Sequence, residues 1–153
     1  MARTEIGTII DELVTLEETL TPSVSAISAF TVYDEAPENV VGPAWINFPD
    51  SGLFPMGFGV GGATLTDDTH TIICACIKDR ALLPQDEKMM RPLITQFPDL
   101  LAANLSLNST VCQIDRVEYE YGFLEVLSSQ RQSMFGVLFR VVVRLEEVFD
   151  FDT

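Results

Sequence analysis

The run "SMFGVLFRVVVRLEEVF", residues 133–149, constrains the fold more than any other stretch of the chain. Phe135, Val137, Phe139, Val141, Val143 and Leu145 are all apolar, while Leu138, Arg140, Val142, Arg144 and Glu146 between them form a more polar set. Apolar residues at every second position are the signature of a β-strand, whose successive side chains point to opposite faces. A strand of this length with one wholly apolar face needs a covering layer on that side and tolerates solvent on the other.

Other segments supply the neighbouring strands. "DTHTIICACIKD", residues 68–79, sets Ile73, Ala75 and Ile77 on one face and His70, Ile72, Cys74, Cys76 and Lys78 on the other. Threonine-rich 64–71 is strand-like, and "STVCQIDRVEYEY", residues 109–121, reads as a further strand. "ISAFTVYD" (27–34) and "AWINF" (44–48) read as two more. Pro43 and Pro49 bracket the last of these, and a proline cannot donate to a ladder, so this strand is expected to be short and near an edge.

The covering layer comes from two helical patterns. Ile6, Ile9, Ile10, Leu13, Leu16 and Leu20 form one stripe, with Thr4 as cap, Pro22 as stop, and Glu5, Asp11, Glu12, Glu17 and Glu18 mainly off the stripe. Met89, Met90, Leu93, Ile94, Phe97, Leu100, Leu101 and Leu105 form a second stripe after Pro84. Pro92 and Pro98 are expected to kink or split it, Pro98 beginning a second short segment. Helix, strands, helix, strands, without regular βαβ alternation, predicts an α+β fold: a mostly antiparallel sheet of about five strands with two or three helices packed on one face. Residues 1–153 are expected to form a single domain, since 153 residues with 47% apolar content can build one real core.

Charge narrows the function. The net charge is −14, from 23 acidic and 9 basic residues, and no Lys/Arg cluster exists to displace counterions from a nucleic-acid backbone. A surface that DNA must pass without sticking should itself be negative. No apolar run is long enough to span a membrane, and Glu5, Asp11 and Glu12 interrupt what a signal peptide would need, so a soluble protein made in a cytoplasm is expected. Three cysteines, Cys74, Cys76 and Cys112, fit reduced thiols rather than a disulfide framework.

Chemistry finds little support. Gly57-Phe58-Gly59-Val60-Gly61-Gly62 matches G-x-G-x-x-G, but a strand-like segment follows where a phosphate site needs a helix. His70, Cys74 and Cys76 share a strand face, yet alternate residues sit about 6.5–7 Å apart, too far for tetrahedral zinc, and packing as small apolar groups is the better reading of the cysteines. The single histidine has no nucleophile at a motif spacing, and the pairs Glu17-Glu18, Asp67-Asp68 and Glu146-Glu147 are adjacent in sequence. No catalytic, cofactor or metal site is expected.

Two apolar loops stand out. Residues 51–63 carry Leu53, Phe54, Met56, Phe58 and Val60, and residues 122–132 carry Phe123, Leu124, Val126 and Leu127. Neither shows strand or helix periodicity, and exposed apolar patches mark interfaces, so both are expected to meet another subunit or partner.

The chain also resembles the tail terminator (tail completion) proteins of long-tailed bacteriophages, over roughly Thr4 to Phe149. The likeness lies in "TEIGTIIDELVTLEETL", "VYDEAPENVVGPAWINFP", "HTIICACI", "MMRPLITQFPDLLAANL" and a closing hairpin ending "MFGVLFRVVVRLEEVF". Its matching residues include Tyr33, Pro37, Pro43, Ala44, Pro49, Tyr121, Gly122 and Gly136. The resemblance implies a hexameric ring on the head-proximal end of the tail tube, ending tube polymerisation and joining tail to head. Partners would be other copies, the tail tube protein and a head-side connector or stopper, in a virion assembled in the host cytoplasm. DNA would pass through the ring unbound, with Glu118, Glu120, Glu146 and Glu147 as candidate channel-lining acids. A head-side neck protein is the alternative within the same biology, and a small acidic enzyme or ligand-binding domain the alternative outside it.

Overall fold

A computed structural model describes residues 4–23, 29–37, 40, 42–55, 63–78, 84–111, 113–125 and 133–150. The elements run α1 (Ile6–Glu17), β1 (Thr31–Val32), β2 (Ala44–Leu53), β3 (Ala63–Lys78), α2 (Gln85–Met90), α3 (Leu93–Ala102), β4 (Gln113–Glu125) and β5 (Ser133–Asp150). The five strands form one sheet in the order β1-β2-β3-β5-β4, antiparallel throughout except for the parallel β1–β2 pair. This is the expected α+β fold.

The alternation in β5 does what its chemistry requires. Its odd-numbered apolar residues, with Ile72, Cys74 and Cys76 of β3 and Trp45 of β2, face the three helices and join Ile9, Leu13, Met89, Leu93, Phe97 and Leu101 in the main core. Trp45, Phe97 and Phe139 form its aromatic centre, with ring centroids 4.8–6.2 Å apart. All three are wholly buried, and each contributes roughly 2–3 kcal/mol by leaving water. The even-numbered side of β5 joins a smaller cluster, Ile46, Ile73, Ala75, Ile77, Leu124, Met134 and Leu138, covered in part by Tyr33, Val40 and Phe48.

Several boundaries differ from the sequence reading. β1 is only two residues long within the described part of 27–34, although the Tyr33 N–H still donates to the Trp45 carbonyl at 2.8 Å. β2 continues through Pro49 to Leu53, with a register shift between Pro49 and Ser51. Because β1 pairs only with Ala44 and Trp45, Pro49 lies on an otherwise open edge where its missing N–H breaks no ladder. β4 starts and ends later than expected: Leu107, Asn108 and Ser109 turn the chain with φ of 45°, 56° and 65°, and Gly122 to Glu125 are strand.

The helices differ too. Glu5, not Thr4, occupies the N-cap of α1 and makes no side-chain capping bond. The second stripe splits at Pro92, which caps α3, whereas Pro98 sits inside α3. A proline at a helix start costs nothing, while the interior Pro98 is carried by the burial of Leu93, Phe97 and Leu101 around it.

β3 and β5 pair without interruption from Ala63↔Asp150 to Lys78↔Phe135. β2 reaches only to Leu53↔Thr69 and β4 only to Gln113↔Arg144, so the pairs from Ala63↔Asp150 to Asp68↔Leu145 form a two-stranded ribbon extending past the sheet body. No helix among the described residues is long and apolar enough to cross a membrane.

Candidate assembly surfaces

Five large apolar side chains are exposed among the described residues: Leu53, Phe54, Leu105, Tyr119 and Phe123. Four of them gather at two places, which makes position rather than mere exposure the informative fact.

The first place is the end of β2. Leu53 pairs with Thr69 and is 64% exposed, and Phe54 follows it, 44% exposed, with its ring 4.9 Å from that of His70. Gly52 opposite His70 permits this arrangement, since a Cβ there would lie 2.6 Å from the imidazole Nδ1. Asp50 and Asp67 are exposed beside these apolar residues. Leu53 thus ends a strand rather than lying in a loop, Phe54 follows just outside it, and Met56, Phe58, Val60 and the glycine motif at 57–62 lie outside the described residues.

The second place is β4. Val117, Tyr119, Tyr121 and Phe123 alternate along its helix-side face, half-buried at Val117 and Tyr121 and exposed at Tyr119, in mid-strand opposite Phe139, and at Phe123. Phe123 is 65% and Tyr119 55% exposed, and both Tyr121 and Phe123 pack edge-on against Phe135. Leu124 differs from the sequence expectation: as a strand residue it points to the opposite face and is buried in the smaller cluster. Val126 and Leu127 lie outside the described residues.

The Lys78–Asp86 ion pair, 2.9 Å long, ties the start of α2 to the end of β3 that is level with Phe135 and Phe123. Burial raises the pKa of the Tyr121 phenol, against the opposing effect of the Arg91 charge. Arg91 itself pairs with Glu87. Lys88 is exposed, and among the described residues it alone of the basic side chains makes no ion pair. Pro84, Glu87, Lys88, Arg91 and Pro92 line an open hollow of about 350 Å³.

The acids proposed from sequence fall on the sheet face away from the helices. Glu118, Glu120 and Glu146 are exposed there, but arginines interleave with them: Arg116–Glu118 at 3.3 Å, Arg140–Glu120 at 3.3 Å, and Arg144 to Asp67 at 3.8 Å and to Glu146 at 3.6 Å. Four acids against three arginines leave this face nearly balanced. Glu147 pairs in register with Thr66, and its side chain lies outside the described residues. The purely acidic surface is elsewhere: Glu5, Asp11 and Glu18 are exposed and Glu12 half-exposed on α1, and residues 4–23 contain no Lys or Arg.

One polar cluster escaped the sequence reading. Glu17, at the end of α1, is fully buried, and the Asn47 amide donates to its Oε1 at 2.6 Å and to the Tyr33 carbonyl at 2.9 Å. Burial pushes the Glu17 carboxyl up to about 8, against the opposing effect of hydrogen bonds to Asn47 and Cys74. Cys74 stands directly across the ladder from Asn47, and burial, reinforced by Glu17, raises the thiols of both Cys74 and Cys76. At neutral pH this is a protonated acid among neutral partners, which ties α1 to β2 and β3. The signal was available, since Glu17 follows Leu13 by four residues and so falls on the buried stripe.

Comparison of the sequence with family models and with curated proteins returned no match.

Proposed function

We propose that this chain is a structural subunit of a bacteriophage tail, forming a hexameric ring that caps the head-proximal end of the tail tube and joins it to the head connector. The observation that carries the reading is the placing of exposed apolar residues at two separate places on one sheet, Leu53 and Phe54 at the end of β2 and Tyr119 and Phe123 along β4. A subunit that meets its neighbours head to tail needs two different patches, not one. The resemblance to tail terminators adds the ring and its place, and the element order it implies, from amphipathic helix to closing hairpin, is the order of this fold.

In such a ring, the wall facing DNA would be carried by α1 rather than by the sheet. Glu5, Asp11, Glu12 and Glu18 have no basic residue beside them in 4–23, whereas the acids of the sheet face are largely offset by Arg116, Arg140 and Arg144. A channel that passes DNA without holding it requires unbalanced negative charge within about one Debye length, roughly 8–10 Å at ordinary salt.

The test is deletion of the gene from the phage that encodes it, with the lysate imaged by electron microscopy. Overlong, unattached tails beside filled heads are the expected result. Tails of normal length with unjoined or leaking heads would move the protein to the neck, as an adaptor or stopper. Intact, infectious particles would overturn the structural reading and return attention to a small enzyme or ligand-binding domain.

A further inference from the structure

The side-chain hydrogen bonds that tie α1 to other elements centre on Glu17. In the buried interior Asn47 donates to its Oε1 at 2.6 Å and Cys74 bonds the same carboxyl, whereas Asn108 reaches Glu12 on the surface at 3.5 Å. Asn47 also holds the Tyr33 carbonyl at 2.9 Å, so one side chain secures both the end of α1 and the chain leaving β1.

Little else in α1 favours the helix on its own. Its N-cap, Glu5, makes no side-chain bond, and its last turn holds no base. Glu17 and Glu18 stand at the end of the helix where its dipole opposes acids. Twelve residues are marginal as a free helix, so α1 persists by burying Ile9, Ile10 and Leu13. Its departure would break no rung of the sheet, because every paired residue lies between Thr31 and Asp150. Trp45 would keep its contacts with Phe97 and Phe139.

We propose that α1 is a strap that opens as a unit while the sheet stays paired, and that the buried Glu17–Asn47–Cys74 cluster is its proton-operated catch. With the carboxyl protonated, the cluster is neutral and the strap lies closed. The groups that act on Glu17 are Asn47 of β2, Cys74 and Cys76 of β3, and Glu18 of its own helix, and none is a base. Ionised in place, Glu17 is therefore a buried anion with no countercharge, which costs far more than the same anion in water. Burial holds the proton well above the ordinary carboxyl range, and opening returns the group to water, so opening releases a proton and is favoured as pH rises. An open strap also uncovers the Cys74 thiol, which is wholly buried when the strap is closed. The catch works within a single copy, whatever the chain assembles with.

The experiment is native-state hydrogen exchange of the purified full chain, read by mass spectrometry between about pH 5.5 and 7.5, with alkylation of Cys74 followed in parallel. In wild type the α1 amides should be at least about tenfold less protected than those of β3 and β5, as expected of a unit that opens alone. Their protection factors should fall about 50–100-fold across those two pH units, nearly tenfold per unit. Glu17→Gln keeps an acceptor for Asn47 and carries no charge, so its α1 protection should stay level. Alkylation of Cys74, expressed relative to the unfolded chain at each pH, should rise with α1 opening in wild type and stay level in the variant.

Equal protection of α1, β3 and β5 would overturn the inference, since α1 would then open only with the whole domain. That comparison is internal to wild type and stands even if the variant folds poorly. Wild-type protection indifferent to pH, or an equal fall in Glu17→Gln, would remove Glu17 as the catch. Cys74 left unreactive while α1 amides exchange would show that the strap does not cover it.

Discussion

On β5, Phe139 and Arg140 are adjacent in sequence and face opposite sides of the sheet. Phe139 is wholly buried between Trp45 and Phe97, while Arg140 lies a third exposed and reaches Glu120 at 3.3 Å. The helix-side face is a continuous apolar core closed by three helices, and the other combines a small apolar cluster with a lattice of surface ion pairs. The same backbone ladder thus carries one face whose residues hold the fold and another whose residues are freer to vary. Leu53, Phe54 and Phe123 belong to neither class, for they are apolar like the first and exposed like the second.

The strongest test of this contrast is a pair of truncations one residue apart. Phe139→Ala should destabilise the protein by about 3–5 kcal/mol through lost burial and a cavity beside Trp45. Chemical denaturation followed by the fluorescence of Trp45, the only tryptophan, measures it. Arg140→Ala, measured in the same way, should cost no more than about 1 kcal/mol, because its ion pair is partly solvated. Equal effects would break the distinction between the faces.

Next in size is the one acid on the buried face. Burial pushes the Glu17 carboxyl up to about 8 in the folded chain, against its ordinary 4.5 in the unfolded one, so the folded state holds the extra proton between those values. Stability should therefore fall as pH rises through that window, by about 1.4 kcal/mol per pH unit from this group, or roughly 3 kcal/mol between pH 5 and 7. Glu17→Gln retains an oxygen to accept from Asn47 and removes the charge, so its stability profile should be flatter across the same range. An unchanged slope would mean that Glu17 is not the group responsible.

The smallest expected effect on stability is at Phe123. Phe123→Ser should change the unfolding free energy by no more than about 0.5 kcal/mol, since Phe123 is 65% exposed. A loss closer to that of Phe139→Ala would place Phe123 in the core's account rather than the surface's.

Much of this contrast was legible beforehand. The alternation of β5 and the split of β3 into Ile73, Ala75, Ile77 against Ile72, Cys74, Cys76 correctly assigned residues to the two clusters. Period-2 patterns survive because each side chain reports its own face directly. What failed depended on contacts distant in sequence. Glu17 looks like a surface acid until Asn47 and Cys74 arrive from two strands, and Pro49 looks like a strand stop until β1 proves too short to pair with it. Gly122 suggested a loop, yet it pairs with Gly136, where a Cβ would lie only 2.0 Å from the Cys76 carbonyl oxygen. Leu53, Phe54 and Phe123 were singled out as a surface, whereas Tyr119 joins them only because the helices leave it exposed in mid-strand.

The central pairing of β3 with β5 also sets an order of events during synthesis. Both later helices and β4 emerge between those two strands, and β4 pairs with β5 alone. Until β5 is translated, β3 has β2 as its only strand partner, and β4 has no sheet to join. The exposed row of Tyr119 and Phe123 on β4 is therefore not formed on a partly made chain, however much of β2 has already folded. Such long-range pairing slows folding, and it makes β5 the strand that joins β4 to the rest of the sheet.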